Sequence, residues 1–336
     1  MSRHITVIAE AGVNYNGDIK IAKEMVKAAA ASGADYVKFQ TGVPKFDVSV
    51  FAEKAEYQKA NTNDVSGAES QLEMCSKLML PFEVYPELIA CCEENHIKFL
   101  SSPFDPPCAA FLHEMGMHLW KIPSGEITHF PMLKLIASYG EPIIMSTGMA
   151  TVEEIENTLN YLKANGAGEI MLLHCNSEYP TPYPDANILA MNDLRDRFGL
   201  EVGYSDHTLG IEIPIAAAAL GATVIEKHFT LDRHMEGPDQ ISSIEPDELK
   251  TLVDSIRHVE AALGSGIKKP TESERKNINI VRKSIVANGA IKKGDILTEE
   301  NLICKRPGGG ISPMEWDSVL GKLAVRDFSP DEMIEF

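Results

Sequence analysis

The stretch EVGYSDHTLGIEIPIAAAALGATVIEKHFT, residues 201–230, decides the fold. EVGYSD (201–206) and TVIEKH (223–228) are short strand-like runs, and IPIAAAALG between them has helical composition with Gly221 as its stop. Strand, helix and strand in so short a span make one βαβ unit, the building block of a parallel sheet. Each strand is closely followed or ended by an imidazole, His207 and His228, 21 residues apart. Two successive units therefore carry histidine at equivalent points.

Working outward, six more runs recur at βα spacing. They are ITVIAE (5–10), DYVKFQ (35–40), IKFLSS (97–102), HLWKIP (118–123), PIIMST (142–147) and EIMLLH (169–174). Most are near-continuous in Val, Ile and Leu, the pattern of strands buried on both faces. Helical patterns lie between several of them. IKIAKEMVKAAAASG ends at Gly33, TVEEIENTLNYLKANG opens on a Thr151–Glu154 capping box, and PELIACCEENH reads likewise. Eight alternations over residues 1–265 predict an α/β (β/α)8 TIM barrel. A doubly wound open sheet is the rival, weakened because no GxGxxG follows the first strand.

A long insertion, 41–80, separates the second and third strands and predicts a loop plus a helix. Segments this long in a compact domain are usually functional. From 266 to 280 the composition turns polar and charged, with Gly and Pro nearby, as in a linker. Residues 281–336 then carry short β-like runs and the turn signals NG, KKGD and PGGG, which predict a small β-rich module.

The formal net charge of −18 argues against nucleic acid as a partner. An acidic chain that binds a small anion needs a local positive field from lysines, helix N-termini or a metal. No run of apolar residues is long enough to span a membrane, the start lacks a secretory pattern, and six cysteines form no CxxC pair. These features together predict a cytoplasmic protein with reduced thiols.

In a barrel the chemistry sits at the C-terminal ends of the strands. Reading those ends gives Glu10, Lys38 with Gln40, Ser102, Lys121 with Ser124 and Glu126, Ser146, His174 with Ser177, Ser205 with His207, and Glu226 with His228. Lys38 and Lys121 each stand among apolar neighbours. They either snorkel to a carboxylate at the mouth or serve as charged donors to an anionic ligand, with the serine hydroxyls beside them. His207 and His228 converge on one point of the mouth. With water and substrate oxygens they could hold Mn, Zn or Co better than Ca, although two histidines without a carboxylate make a sparse site. His174, inside LLHC, and His234, beside charged residues, read as structural or surface residues. Glu126, in a Gly-containing turn, is the best carboxylate for proton transfer on sequence grounds. Cys175 has no basic context to make it a nucleophile, and no GxSxG elbow is present.

The ordered motifs IAEAGVNYNGD, DYVKFQT, FLSSPFD, KIPSGE, STGM, LLHCNSEYPTPY, GYSDHTLG, EKHFTLDR, GPD and KRPGGGISP closely resemble the bacterial sialic acid synthase family. That family condenses phosphoenolpyruvate with an N-acylated mannosamine-type sugar. The resemblance covers essentially the whole chain. It implies a barrel followed by a small domain similar to type III antifreeze protein, in a homodimer where that domain reaches the partner's active site. It implies His207 and His228 as ligands of a divalent metal, Mn2+ the usual ion and Mg2+ or Co2+ the alternatives. Lys38 and Ser102 then meet the phosphoenolpyruvate carboxylate, and Lys121, Ser124, Ser146, Ser177 and Ser205 its phosphate. Gln40, Tyr179, Asp239 and Asn61 meet the sugar, and Arg306 comes from the partner to its N-acyl group. Glu10 and Glu126 are the site's carboxylates. Two departures stand out: Ser177 replaces the Asn of some members, and 41–66 matches poorly. N-acetylmannosamine and its 2,4-diacetamido-6-deoxy relatives both fit as the sugar, with KRPGGGISP inclining toward the sialic or legionaminic branch. The rivals are a Schiff-base pyruvate aldolase using Lys38, Lys121 or Lys227, and a non-catalytic sugar-binding homologue.

Overall fold

The eight apolar runs become the strands of one parallel ring. The computed structural model describes residues 4–62 and 69–336. Its first unit, Met1–Gly264, alternates strands and helices, and its second is Ser265–Phe336. In order, the first unit has β1 (Thr6–Gly12), α1 (Ile19–Ser32), β2 (Tyr36–Thr41), then the inserted α2 (Pro44–Asp47), α3 (Glu56–Asn61) and α4 (Gln71–Leu78). It continues with α5 (Tyr85–Glu94), β3 (Lys98–Pro103), α6 (Pro106–Glu114), β4 (Trp120–Ile122), α7 (Phe130–Ser138), β5 (Ile143–Ser146), α8 (Val152–Ala164) and β6 (Ile170–His174). Then follow α9 (Ala190–Phe198), β7 (Glu201–Asp206), α10 (Glu212–Ala219), β8 (Val224–His228) and α11 (Pro246–Leu263).

Pairing runs β3-β2-β1-β8-β7-β6-β5-β4, all parallel, and β3 lies alongside β4 to complete the barrel. The rival open sheet would leave two edges, and the β1–β8 pairing together with the β3–β4 approach excludes it. Parallel pairing brings every strand's C-terminal end to one rim. The period of two then sorts side chains between lumen and outer layer. Val37, Phe39, Trp120, Ile122, Tyr204 and Ile225 pack outward in the main core, while Glu10, Lys38, Lys121, Ser205, Glu226 and His228 line the mouth of the lumen. Register fixes their level: Glu10 is paired with Lys38 on one side and His228 on the other, and Ser205 with Glu226.

The helices end where sequence chemistry stops them. Asp18 caps α1 by accepting from Lys20 N, and Gly33, at φ 82°, closes it in the left-handed region that a side chain disfavours. The Thr151–Glu154 capping box opens α8. Strand boundaries are tighter than the sequence pattern predicts: β4 starts at Trp120, so His118 lies in the connection before it. The insertion holds three short helices rather than one, and its residues 63–68 lie outside the described residues.

The second unit contains α12 (Glu272–Val281), β9 (Ser284–Ala287), β10 (Leu302–Lys305) and α13 (Trp316–Val319). The stretch expected as a linker thus carries a helix, opened by a Thr271–Glu274 capping box that competes successfully with its polar composition. β9 and β10 pair antiparallel around a core of Ile285, Ile291, Leu297, Leu302, Val319, Phe328 and Ile334. Ser284 Oγ donates to Pro307 O and accepts from Gly310 N, holding the loop that follows exposed Arg306. Among the described residues no helix is long and apolar enough to cross a membrane.

Candidate active site at the barrel mouth

Four buried charges form a row across the lumen. Lys38 Nζ lies 2.9 Å from Glu10 Oε1, 3.1 Å from Ser102 Oγ and 3.8 Å from Glu226 Oε2. Lys121 Nζ donates to Ser146 Oγ at 2.8 Å and lies 3.4 Å from Glu226 Oε1, which accepts from Ser205 Oγ at 2.8 Å. All four side chains are at most 5% exposed. Burial of charge on this scale is tolerated only when each charge has partners. The two carboxyls are driven apart. Burial is the leading cause that lifts Glu10 to about 7, with Lys38 pulling back. Glu226 falls to about 2, because Lys121, Lys38 and the Ser205 hydroxyl outweigh its burial. Burial opposes the charge on Lys38, but Glu10 and Glu226 carry it upward on balance; for Lys121 burial wins and the ammonium is lowered.

The sequence singled out lysines and serines and placed Glu226 at a strand end without giving it a role. The missed signal was its position two residues before His228 on β8, which puts both on the lumen side. Lys227 between them faces the other way. Its ammonium is fully buried at 2.6 Å from Asp206 Oδ2 and also donates to Thr208 O. That pair ties together the two strand ends whose neighbours are His207 and His228.

The imidazoles sit with ring centroids 5.3 Å apart. His207 Nδ1 is hydrogen-bonded to the carbonyl of Asn176, which makes Nδ1 the donor and leaves the Nε2 lone pair for the cavity. His228 Nδ1 is buried without a hydrogen-bond partner and lies 3.9 Å from Asp239 Oδ2. Burial lowers His207 to about 4 and holds His228 well below the ordinary imidazole value, so both rings are neutral and able to ligate. Burial lifts Asp239 to about 6. Tyr179 packs tilted against His207 at 4.1 Å and meets Tyr57 of α3 at 5.1 Å, so the insertion leans on the imidazole pair. An orphaned buried nitrogen beside an oriented lone pair fits a divalent cation. Glu10 Oε2 and Glu226 Oε2 are likewise buried without a hydrogen bond, on two residues that line the same cavity.

Most of the residues singled out in the sequence meet here. Glu10, Lys38, Gln40, Ser102, Lys121, Ser124, Ser146, Tyr179, Ser205, His207 and His228 line an inner cavity of about 50 Å³. Ser177 and Asp239 line an adjoining outer cavity of about 420 Å³, which shares Gln40, Ser124, Tyr179 and His228. Three residues stand elsewhere. Glu126, in the turn after β4, is buried but on neither cavity wall: its Oε2 is hydrogen-bonded to His129 Nδ1 at 2.7 Å. Asn61 spends its amide on Pro238 O, 2.7 Å away, so it braces the loop that carries Asp239. Arg306 belongs to the second unit. Cys175 comes beside Lys121 in the inner cavity, yet burial pushes its thiol up.

Gly148 packs behind the hydroxyls of Ser124 and Ser177. Its N–H donates to Ser124 Oγ at 2.9 Å, and a Cβ there would stand 2.5 Å from Ser177 Oγ and 2.8 Å from Ser124 Oγ. A cradle of hydroxyls and backbone N–H around a buried ammonium suits a phosphate or carboxylate.

The sequence matches the NeuB family over residues 25–268 and the SAF domain over residues 282–336. The chain belongs to the NeuB family. Its similarity to the N,N'-diacetyllegionaminic acid synthase of Campylobacter jejuni is 54% identity, covering 98% of both chains. The Legionella pneumophila protein of the same name is 46% identical, over 94% of this chain and 89% of that one. Among solved structures, the N-acetylneuraminic acid synthetase of Leptospira borgpetersenii in complex with citrate is 33% identical. It superposes with a TM-score of 0.71, over 82% of this chain and 91% of that one. Within this NeuB-family barrel the mouth offers two imidazoles. Among the described residues, the group of three side chains able to share a divalent ion is His113, His118 and Glu141, remote from the mouth.

Proposed function

We propose that this NeuB-family chain condenses phosphoenolpyruvate with an N-acylated mannosamine to give a nonulosonic acid and phosphate. The observation that carries the reading is the buried row Lys38–Glu10–Glu226–Lys121, flanked by Ser102, Ser146 and Ser205, with His207 and His228 at its end. The two lysines and two carboxyls nearly cancel, so an anionic substrate needs more positive charge than the side chains alone supply. His207 and His228 would hold a divalent cation, Mn2+ by resemblance, which would supply that charge and Lewis acidity toward the sugar's aldehyde oxygen.

The chain's own residues do the rest. Lys38 and Ser102 hold the carboxylate of phosphoenolpyruvate. Lys121, Ser124, Ser146, Ser205 and Ser177 hold its phosphate and stabilise it as it leaves. Gln40, Tyr179 and Asp239 set the open-chain sugar so that its aldehyde carbon faces C3 of phosphoenolpyruvate. C3 attacks that carbon, water adds at C2, and the tetrahedral carbon collapses with cleavage of the C–O bond to phosphate. Glu10 handles the water proton: it lines the inner cavity and titrates near neutrality, as a general acid-base group should. Glu126 supports the turn that presents Ser124 from its bond to His129. Arg306 of the partner subunit in a homodimer meets the N-acyl group.

A 2,4-diacetamido-6-deoxy sugar is the preferred substrate. The outer cavity carries Val13, Val48, Met74, Leu78, Met79 and Met149, which suit a C6 methyl and a second acetamido methyl better than hydroxyls. The similarity to the two diacetyllegionaminic acid synthases supports the same choice. The test is phosphate release from phosphoenolpyruvate with each sugar, on metal-stripped and Mn2+-loaded protein. Release needs both substrates and the ion, and is faster with the diacetamido sugar. Release with neither sugar overturns the reading; a preference for N-acetylmannosamine overturns the substrate choice alone.

A further inference from the structure

A second cluster lies at the opposite end of the barrel. His113 is on the last turn of α6, His118 is in the connection just before β4, and Glu141 just before β5. Since β4 and β5 begin there, the cluster is on the N-terminal face, away from the cavities. One ligand atom from each residue lies within 4.8 Å of the others.

We propose that His113, His118 and Glu141 form a divalent metal site of the zinc type, separate from the mouth. His113 Nδ1 is buried and makes no hydrogen bond. Its ring is clamped against Tyr139, with centroids 3.8 Å apart and planes 11° from parallel, so the nitrogen has a fixed direction. That direction faces Glu141 Oε2 at 3.7 Å, too long for a hydrogen bond. Two ligands about 2.05 Å from one tetrahedral ion stand about 3.3 Å apart, so the gap matches a shared ion. Glu141 is itself oriented: Trp120 Nε1 donates to its Oε2 at 2.7 Å, the outer-shell partner that a ligating carboxylate commonly has. His118 Nδ1 stands 2.5 Å from Glu141 Oε1, and its ring is 70% exposed, free to swing back and admit an ion between them.

Two imidazoles and one carboxylate with a fourth position open to water are the donor set that Zn2+ favours. Co2+, Ni2+ and Cu2+ suit it as well, and Mg2+ prefers oxygen. An ion here ties the end of α6 to the starts of β4 and β5. It stabilises the folded barrel because the unfolded chain does not hold the three ligands together. Ser146 ends β5, and Lys121, in the middle of β4, turns into the mouth cavity, so the site acts on the scaffold rather than on the reacting atoms.

The test uses the full chain with His207→Ala and His228→Ala, which removes the mouth's imidazoles and makes the result independent of the proposed reaction. The metal-stripped protein is titrated with Zn2+ by calorimetry and with Co2+ by visible absorption, and its melting is followed. About one equivalent should bind with a tetrahedral Co2+ spectrum and a raised Tm. Adding His118→Ala should weaken Zn2+ binding by more than the about 10–100-fold typical of losing an outer-shell partner. His118 is exposed, so that variant folds even if Glu141→Gln, which disturbs the partner of Trp120, does not. In the otherwise native chain His118→Ala should leave turnover unchanged. No binding in the double variant, or undiminished binding after His118→Ala, overturns the proposal.

Discussion

Gly148→Ala tests whether the hydroxyl cradle binds phosphate. The added Cβ would stand 2.5 Å from Ser177 Oγ, 2.8 Å from Ser124 Oγ and 3.0 Å from Cys175 Sγ. Against ordinary contact the worst overlap is about 0.9 Å, so the Ser177 hydroxyl on the wall of the outer cavity must move to relieve it. Ser124 cannot swing away freely, because its Oγ accepts from the Gly148 N–H and contacts Cys175 Sγ at 3.2 Å. The overpacking costs about 1–3 kcal/mol of stability. Displacing the cradle hydroxyls by about 1 Å costs about 100-fold in rate, or about 2.7 kcal/mol of barrier. Steady-state phosphate release at varied phosphoenolpyruvate should therefore show kcat/KM for phosphoenolpyruvate down about 100-fold, with the KM for sugar little changed. Ser177→Ala in the same chain removes the 2.5 Å overlap and should restore part of the loss. A Gly148→Ala enzyme with native kcat/KM for phosphoenolpyruvate would refute the cradle; failure of Ser177→Ala to restore anything would refute the steric cause.

His228→Ala should abolish metal-dependent turnover while the melting temperature stays close to native; full activity in excess chelator would show that no ion is needed. Arg306→Ala should chiefly raise the sugar KM, and an unmoved KM removes Arg306 from sugar binding. Glu10 titrates at about 7 folded against 4.5 unfolded, so the folded chain holds that proton more tightly and loses stability as pH rises through that window. In metal-stripped protein, urea unfolding should therefore show Glu10→Gln gaining on the native chain by up to about 3 kcal/mol between about pH 5 and about 7.5, and a pH-independent gap counts against the buried carboxyl. Pyruvate with borohydride should trap no adduct, since Lys227 is enclosed by Asp206 and both lumen lysines are paired with carboxylates; a stable adduct would move the reading to a Schiff-base aldolase.

The barrel was legible in the sequence because parallel strands buried on both faces leave apolar runs, and because capping boxes and stop glycines mark the helices between them. Thr151–Glu154 and Gly33 sit where their local chemistry says they should. Local order is what a sequence pattern encodes. The site was legible to the extent that it depends on strand ends, which a barrel must gather on one rim. His207, His228, Lys38 and Lys121 came from that rule alone.

What the linear pattern left open was direction. Glu126 and Glu226 are both acids beside a strand end. Only packing turns one to His129 and the other between two lysines. The charge on a buried carboxyl is likewise a property of its neighbours: Glu10 and Glu226 begin with the same intrinsic acidity and end about five units apart. His113 is on α6, and His118 and Glu141 are in two separate connections, so nothing in the linear pattern joins them. Their convergence follows from the start points of β4 and β5 and from the stacking of His113 on Tyr139. The sequence determined which residues reach each rim, because a strand's period is local. The tertiary structure decided where each side chain points and which charge it carries, because those depend on neighbours distant in the chain.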